Sequence, residues 1–154
     1  MASNLSYTLT LNNNKAEKEA LDYILNSDSS YLSPDKRSRL LVLEMLGIEK
    51  KYFKAFDLIT IPGHTNLEKV IELKNTEDLI LIELKTTKKR LVDLPKGFFF
   101  GATESEFKLA EKLGDRYKFC FISLHPESKK YTLLSLSELN KIIKHKRVQY
   151  QINL

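Results

Sequence analysis

Cysteine is nearly absent from this chain: Cys120 is the single one in 154 residues, so no internal disulfide can form and a cysteine-rich zinc site lacks its donors. Long apolar runs are missing too, and none approaches the roughly 20 residues that a bilayer-spanning helix needs. The first residues carry no signal-peptide pattern, which makes cytoplasmic residence the expectation. His64, His125 and His145 are scattered without metal-ligand spacing, and no nucleophile elbow, phosphate-cradling glycine loop or zinc motif occurs. No internal repeat, low-complexity tract or linker divides the chain, so a single domain over 1–154 is expected. These absences leave acids and lysines as the chemistry-bearing residues.

What is present is an ordinary globular composition, 42% hydrophobic and 29% charged, long enough to bury a sizeable core. Lys and Arg number 25 against 20 Asp and Glu, a formal net charge of +5. Such a balance favours a polyanionic partner, because Lys and Arg release condensed counterions when they neutralise phosphates. The cations are clustered: Lys88, Lys89 and Arg90 form one group, and Lys141, Lys144, His145, Lys146 and Arg147 another.

Along the chain, the first dozen residues read as a loose arm or edge strand. The spacing of Ala16, Ala20, Leu21, Ile24 and Leu25 predicts an amphipathic helix over Lys15–Asn26. A second helix is signalled by Ser33 as N-cap, Pro34 at the first position, Asp35, an apolar run from Leu40 to Leu46, and Gly47 as a left-handed C-terminal cap. Glu44 lies inside that apolar run. Ala55–Ile61, Lys69–Leu73 and Leu79–Leu84 then read as three strands of an antiparallel meander, separated by Pro62-Gly63 and the polar stretch Asn75 to Asp78. Thr103 and Glu106 form a capping box opening a helix that ends near Gly114. A strand over Tyr117–Leu124 follows, parallel to the strand before the crossover. Tyr131–Leu136 adds a strand, and Ser137 to about Lys146 a closing amphipathic helix. The expected class is α/β, a layered sandwich about a central mixed sheet.

The segment Leu81-Ile82-Glu83-Leu84-Lys85 is the most informative. Alternation along a strand puts Glu83 and Lys85 on one face and Ile82 and Leu84 on the other. An acid and a lysine at the end of an apolar strand are costly to bury without a task or a partner. Asp57, a lone charge in Phe56-Asp57-Leu58-Ile59, is the natural companion. An Asp and a Glu brought together can hold a hard divalent cation through their oxygens, while the lysine steadies developing negative charge. Val70-Ile71-Glu72-Leu73-Lys74 repeats the Ile-Glu-Leu-Lys string. In a meander laid out in sequence order, Glu72 or Glu68 on the middle strand would be the acid nearest Glu83. Both alternatives stay open on sequence grounds.

Asp57 followed by Glu83-Leu84-Lys85, set on helix, three strands, helix and strand, resembles the PD-(D/E)xK superfamily of restriction-endonuclease-like nucleases. The likeness spans roughly Ser33 to Leu124. It continues through Thr86-Thr87-Lys88-Lys89, Phe99 to Phe107, Leu113-Gly114-Asp115 and Tyr117, in the style of the Mrr-like and DUF3883-like branches; type II restriction and homing endonucleases are further branches. Phe56 stands where the family usually has proline. The resemblance implies a restriction-endonuclease-like three-layer core over about 33–124, with a C-terminal strand and basic helix over 131–147. It also implies Mg²⁺, or Mn²⁺, bound by Asp57, Glu83 and the Leu84 carbonyl, with Lys85 catalytic and Glu44 assisting.

The expected activity is Mg²⁺-dependent DNA cleavage, sequence-specific and by a symmetric dimer carrying one site per strand. Lys88, Lys89 and Arg90 would meet phosphates near the cut, and Lys144, Lys146 and Arg147 would extend the DNA footprint. The alternative is a catalytically inactive nuclease fold acting as a DNA-binding or assembly subunit. A third reading makes Phe98-Phe99-Phe100 a protein-contact patch. Glu104 and Glu106 read as capping residues rather than ligands, and Cys120 as core.

Overall fold

The computed structural model describes residues 2–154, with side chains from residue 15 onward. Helix α1 (Ala2–Ser27) contains the expected amphipathic stretch and extends it to the N-terminal side. The arm or edge strand expected there is helical, since neither glycine nor proline interrupts those residues. Ala20 and Ile24, four apart, are fully buried on one face. Helix α2 (Lys36–Met45) begins later than Ser33 suggests, because Asp35 supplies the cap and accepts from the Ser38 N–H at 2.8 Å. Gly47 does take the left-handed conformation at its end, φ 69°.

Strand β1 (Leu58–Thr60) is shorter than expected, because a 3-10 turn at Lys50–Tyr52 and bends occupy the residues before it. The main correction follows β1. Lys69–Leu73, read as a strand, lies in helix α3 (Leu67–Leu73). Its start is capped by Asn66, whose side chain accepts from the Lys69 N–H at 3.2 Å. Leu67, Val70 and Ile71 turn to the core at helical spacing, i, i+3 and i+4, a period that outweighs the β-branched pair at 70–71. The three-strand meander is therefore a two-strand antiparallel pair, β1 with β2 (Ile80–Thr87), and α3 fills the connection.

An irregular segment, 88–103, leads to α4 (Glu104–Leu113), which opens with the expected capping box. Strand β3 (Tyr117–Ser123) pairs parallel to β2, from Leu81↔Tyr117 to Thr87↔Ser123. Strand β4 (Lys130–Leu134) returns antiparallel to β3. The closing helix α5 (Leu136–Asn140) ends well before Lys146, and the basic residues beyond it lie outside helix and strand. Lys141, Lys144 and Arg147 fall three apart, so continuing the helix would stack like charges.

The chain thus has an α/β fold about a four-stranded, open mixed sheet of order β1-β2-β3-β4. Leu58, Ile82, Cys120 and Ile122 face α1 in one apolar cluster. Ile59, Leu81, Phe119 and Phe121 face the other way, onto Val42 and Leu43 of α2 and Leu109 and Ala110 of α4. Among the described residues no helix is long and apolar enough to cross a membrane.

Candidate functional site

With α3 removed from the sheet, β1 lies directly beside β2, and Asp57 and Glu83 become neighbours. Ile82 is the ladder partner of Leu58, yet its carbonyl also accepts from the Asp57 N–H at 2.8 Å. Two residues opposite one is the arrangement of a β-bulge, which re-aims the side chain that it carries. The Asp57 carboxylate accordingly turns along β2, where its Oδ2 accepts from the Leu84 N–H at 2.8 Å. Alternate residues of a strand direct their N–H and C=O to the same neighbour, so the Leu84 carbonyl also faces the β1 side, next to Asp57.

The approach to Asp57 is held from two sides. Arg39 of α2 donates from Nη1 to the Phe56 carbonyl at 2.5 Å and lies over the Phe56 ring. Tyr117 of β3 donates its hydroxyl to the Ala55 carbonyl at 2.5 Å. Burial, with the negative charges of Glu83, Glu106 and Asp57 added, pushes the Tyr117 phenol well above its ordinary range and keeps it a neutral donor.

Glu83 and Lys85 share the face of β2 that looks toward α4, as strand alternation requires. Lys85 Nζ meets Glu83 Oε1 at 3.3 Å and also Oε1 of Glu106, from the first turn of α4. The side chains of Lys85, Glu83 and Glu106 are 11%, 12% and 6% exposed, so the group is shielded from solvent. Beside it, Phe98 and Phe100 pack edge-on against Phe121, the β3 partner of Lys85, and add an apolar wall. Glu106 is held on its other oxygen: Oε2 accepts from the Thr103 N–H at 3.0 Å and the Thr103 hydroxyl at 2.7 Å. Burial opposes its charge, but the bonds from Lys85 and Thr103 outweigh it and hold the carboxyl below its ordinary range.

Glu83 is in the opposite condition. Its Oε2 is buried without a hydrogen-bond partner. Burial first, then the charges of Asp57 and Glu106, push its pKa up to about 9 against the pull of Lys85. A buried carboxyl facing a second one, with an oxygen unsatisfied, is a costly arrangement unless something positive joins it. Asp57, Glu83 and the Leu84 carbonyl fit a hard divalent cation, which would relieve both the repulsion and the orphaned oxygen. Among the described residues no group of three His, Cys, Asp or Glu side chains forms a metal cluster. Two carboxylates suffice for Mg²⁺ when water and substrate phosphate complete its shell.

The chain matches no protein-family model, no curated protein and no solved structure. Its function is read from the arrangement of these residues.

The other candidates lie elsewhere. Glu44 is exposed on α2, in a groove of about 420 Å³ with Lys36, Arg37, Leu40, Leu41 and Lys50, and the structure does not bring it to Glu83. Glu68 and Glu72 are exposed on α3, and Lys74 ends that helix in a left-handed conformation. Lys88, Lys89 and Arg90 are exposed immediately after β2, with Arg90 paired to Glu127 at 3.2 Å. Lys144, Lys146 and Arg147 are exposed beyond α5, and Lys146 lies 4.7 Å over the Phe107 ring of α4. Phe99 alone of its run is exposed, at 93%. Cys120 is core, its thiol pushed up to about 12 by burial and Asp57, which rules out a ready nucleophile. Glu106 is the residue that the sequence reading undervalued: it caps α4 and binds Lys85 as well. The signal was a capping box one crossover after a strand that ends in lysine.

Proposed function

We propose that this chain is a Mg²⁺-dependent deoxyribonuclease with the restriction-endonuclease-like, PD-(D/E)xK arrangement, Asp57, Glu83 and Lys85 forming its centre. The observation that carries the reading is the meeting of Asp57, in the bend just before β1, with the unsatisfied Glu83 carboxyl of β2, with Lys85 on the Glu83 face. Mn²⁺ suits the same oxygen donors.

When bound, the cation supplies positive charge that polarises a scissile phosphate and makes water a better nucleophile at neutral pH. Asp57 and Glu83 would hold it, and the Leu84 carbonyl would serve as a third donor. The Asp57–Leu84 hydrogen bond keeps that carboxylate in place before substrate arrives. Lys85 offers an ammonium to the negative charge that grows on the phosphate, in a setting whose low exposure strengthens the interaction. The aromatic wall of Phe98, Phe100 and Phe121 keeps water from that side.

DNA is the proposed polyanion. Lys88, Lys89 and Arg90 follow the end of β2, beginning three residues beyond Lys85, and would grip backbone phosphates flanking the cut, with the Lys144, Lys146 and Arg147 segment as a second contact. Replacing Lys88 and Lys89 by alanine is expected to weaken DNA binding about tenfold at 0.15 M salt and to flatten the slope of log affinity against log salt by roughly 1–2. Fluorescence anisotropy on a labelled duplex, repeated across salt concentrations, checks this; an unchanged slope would remove these lysines from the interface.

One such centre cuts one strand, so double-strand cleavage calls for a symmetric pair. Val148, Tyr150, Ile152 and Leu154, exposed at alternate positions, give the chain apolar surface with which to pair. The function is tested by incubating wild type and Asp57→Ala with mixed plasmid and phage DNA. Discrete Mg²⁺-dependent fragments from wild type alone support a sequence-specific nuclease. Salt-sensitive binding with no cleavage by either protein supports the DNA-binding subunit instead.

A further inference from the structure

We infer that Glu106 is a positioning residue: it holds the Lys85 ammonium so that Glu83 is free to take the divalent cation. The inference rests on the reading of Asp57 and Glu83 as cation ligands. Lys85 has two ion-pair partners among the described residues, and the Glu106 contact is the closer one. The two partners differ in freedom. Glu106 has both oxygens committed, Oε1 to Lys85 and Oε2 to the Thr103 N–H and hydroxyl, and the Glu106 N–H in turn donates to Thr103 Oγ1 at 3.1 Å. That reciprocal capping box fixes the carboxylate to the start of α4. Glu83 has one oxygen on Lys85 and one on nothing.

A cation arriving at Asp57 and Glu83 therefore competes with Lys85 for one ligand only. Lys85 can release Glu83 and still keep a charge-assisted bond, which holds its ammonium on the β2 face where the phosphate would come. Without the Glu106 charge, Glu83 becomes the sole anionic partner of Lys85, and lysine and cation contend for the same carboxylate. Glu106 has no free oxygen for the cation, which separates its role from that of Asp57 and Glu83.

Glu106→Gln separates this role from simple capping, because glutamine also serves at the third position of a capping box. Two readouts need neither DNA nor cleavage. In a double-mutant cycle of Glu106→Gln with Lys85→Met, followed by urea unfolding in EDTA, the combined change is expected to fall short of the summed single changes by about tenfold in the unfolding constant. Additivity within about twofold overturns the hold on Lys85. In calorimetric titration with Mn²⁺, Glu106→Gln is expected to weaken binding about tenfold in the protein that keeps Lys85, and less than about threefold in the Lys85→Met background. Equal weakening in both backgrounds overturns the competition between lysine and cation. Failure of wild type to bind Mn²⁺ overturns the cation reading beneath it, a result distinguishable from a failed cycle.

Discussion

Lys85→Ala is expected to lower Mg²⁺-dependent DNA cleavage by about 10²–10³-fold while leaving DNA affinity within about threefold. The asymmetry follows from where the lysine sits. Its side chain is 11% exposed, enclosed by Glu83, Glu106 and the Phe121 side of β3, and is too recessed to add to grip on flanking phosphates. In the proposed mechanism its charge would act where the reacting phosphate develops charge of its own. Removing it also leaves the buried Glu106 carboxylate without its cation, which costs about 3 kcal/mol of stability in pairs of this kind. Lys85→Arg is therefore the companion variant: it keeps the charge and the fold but replaces a point ammonium by a planar fork, and is expected to remain folded and impaired. Single-turnover cleavage, anisotropy and circular dichroism on the three proteins check the set. Full activity in folded Lys85→Ala would remove the lysine from the mechanism.

Glu83→Gln is expected to abolish cleavage and yet stabilise the cation-free protein. With its pKa raised from 4.5 to about 9 by burial and by Asp57 and Glu106, Glu83 binds a proton more tightly when folded than when unfolded. Between those two pKa values the folded state holds more protons, so raising the pH costs stability. At pH 8 in EDTA the neutral glutamine is expected to be the more stable protein by a few kcal/mol, at most about 5, a gain that shrinks toward nothing below pH 4.5. Cleavage should fall at least 10²-fold, because the amide is a poor cation ligand. The Glu106 carboxyl, held below its ordinary range, runs the other way: its contribution is present above the unfolded carboxylate range and is lost on acidification. Urea unfolding of both proteins at pH 5 and pH 8 reads the difference, and a Glu83→Gln protein less stable than wild type at pH 8 would count against the strained carboxyl. A functional group that weakens its own fold is a common mark of a site shaped for a ligand.

The strand carrying Glu83 and Lys85 was legible because alternation assigns faces without reference to anything distant. The Thr103–Glu106 capping box and the Gly47 cap were legible for the same reason. What failed were choices that depend on tertiary neighbours. Ile-Glu-Leu-Lys occurs twice, at 71–74 closing a helix and at 82–85 within a strand. The difference lies in the flanks: Asn66 caps the first copy and Leu67 and Val70 give it helical spacing, whereas the second continues from the wholly buried Leu79 and Leu81. Taking the first copy for a strand placed a false spacer between Asp57 and Glu83. Removing it brings the two acids side by side, through a bulge that no local pattern announces. Glu106 was half legible, its capping role visible and its grip on Lys85 dependent on how α4 returns over β2. The basic stretch from Lys141 to Arg147 read as helix from three apolar residues, but only Leu139 is buried, and Ile142 is 50% exposed.

The most direct test of the central claim is wild-type protein on supercoiled plasmid, with Mg²⁺ in one arm and EDTA in the other. The Asp57–Glu83–Lys85 arrangement predicts nicked or linear DNA with Mg²⁺ and intact plasmid with EDTA. Intact plasmid in both arms, with Mn²⁺ substituted and the protein shown to be folded, would contradict it.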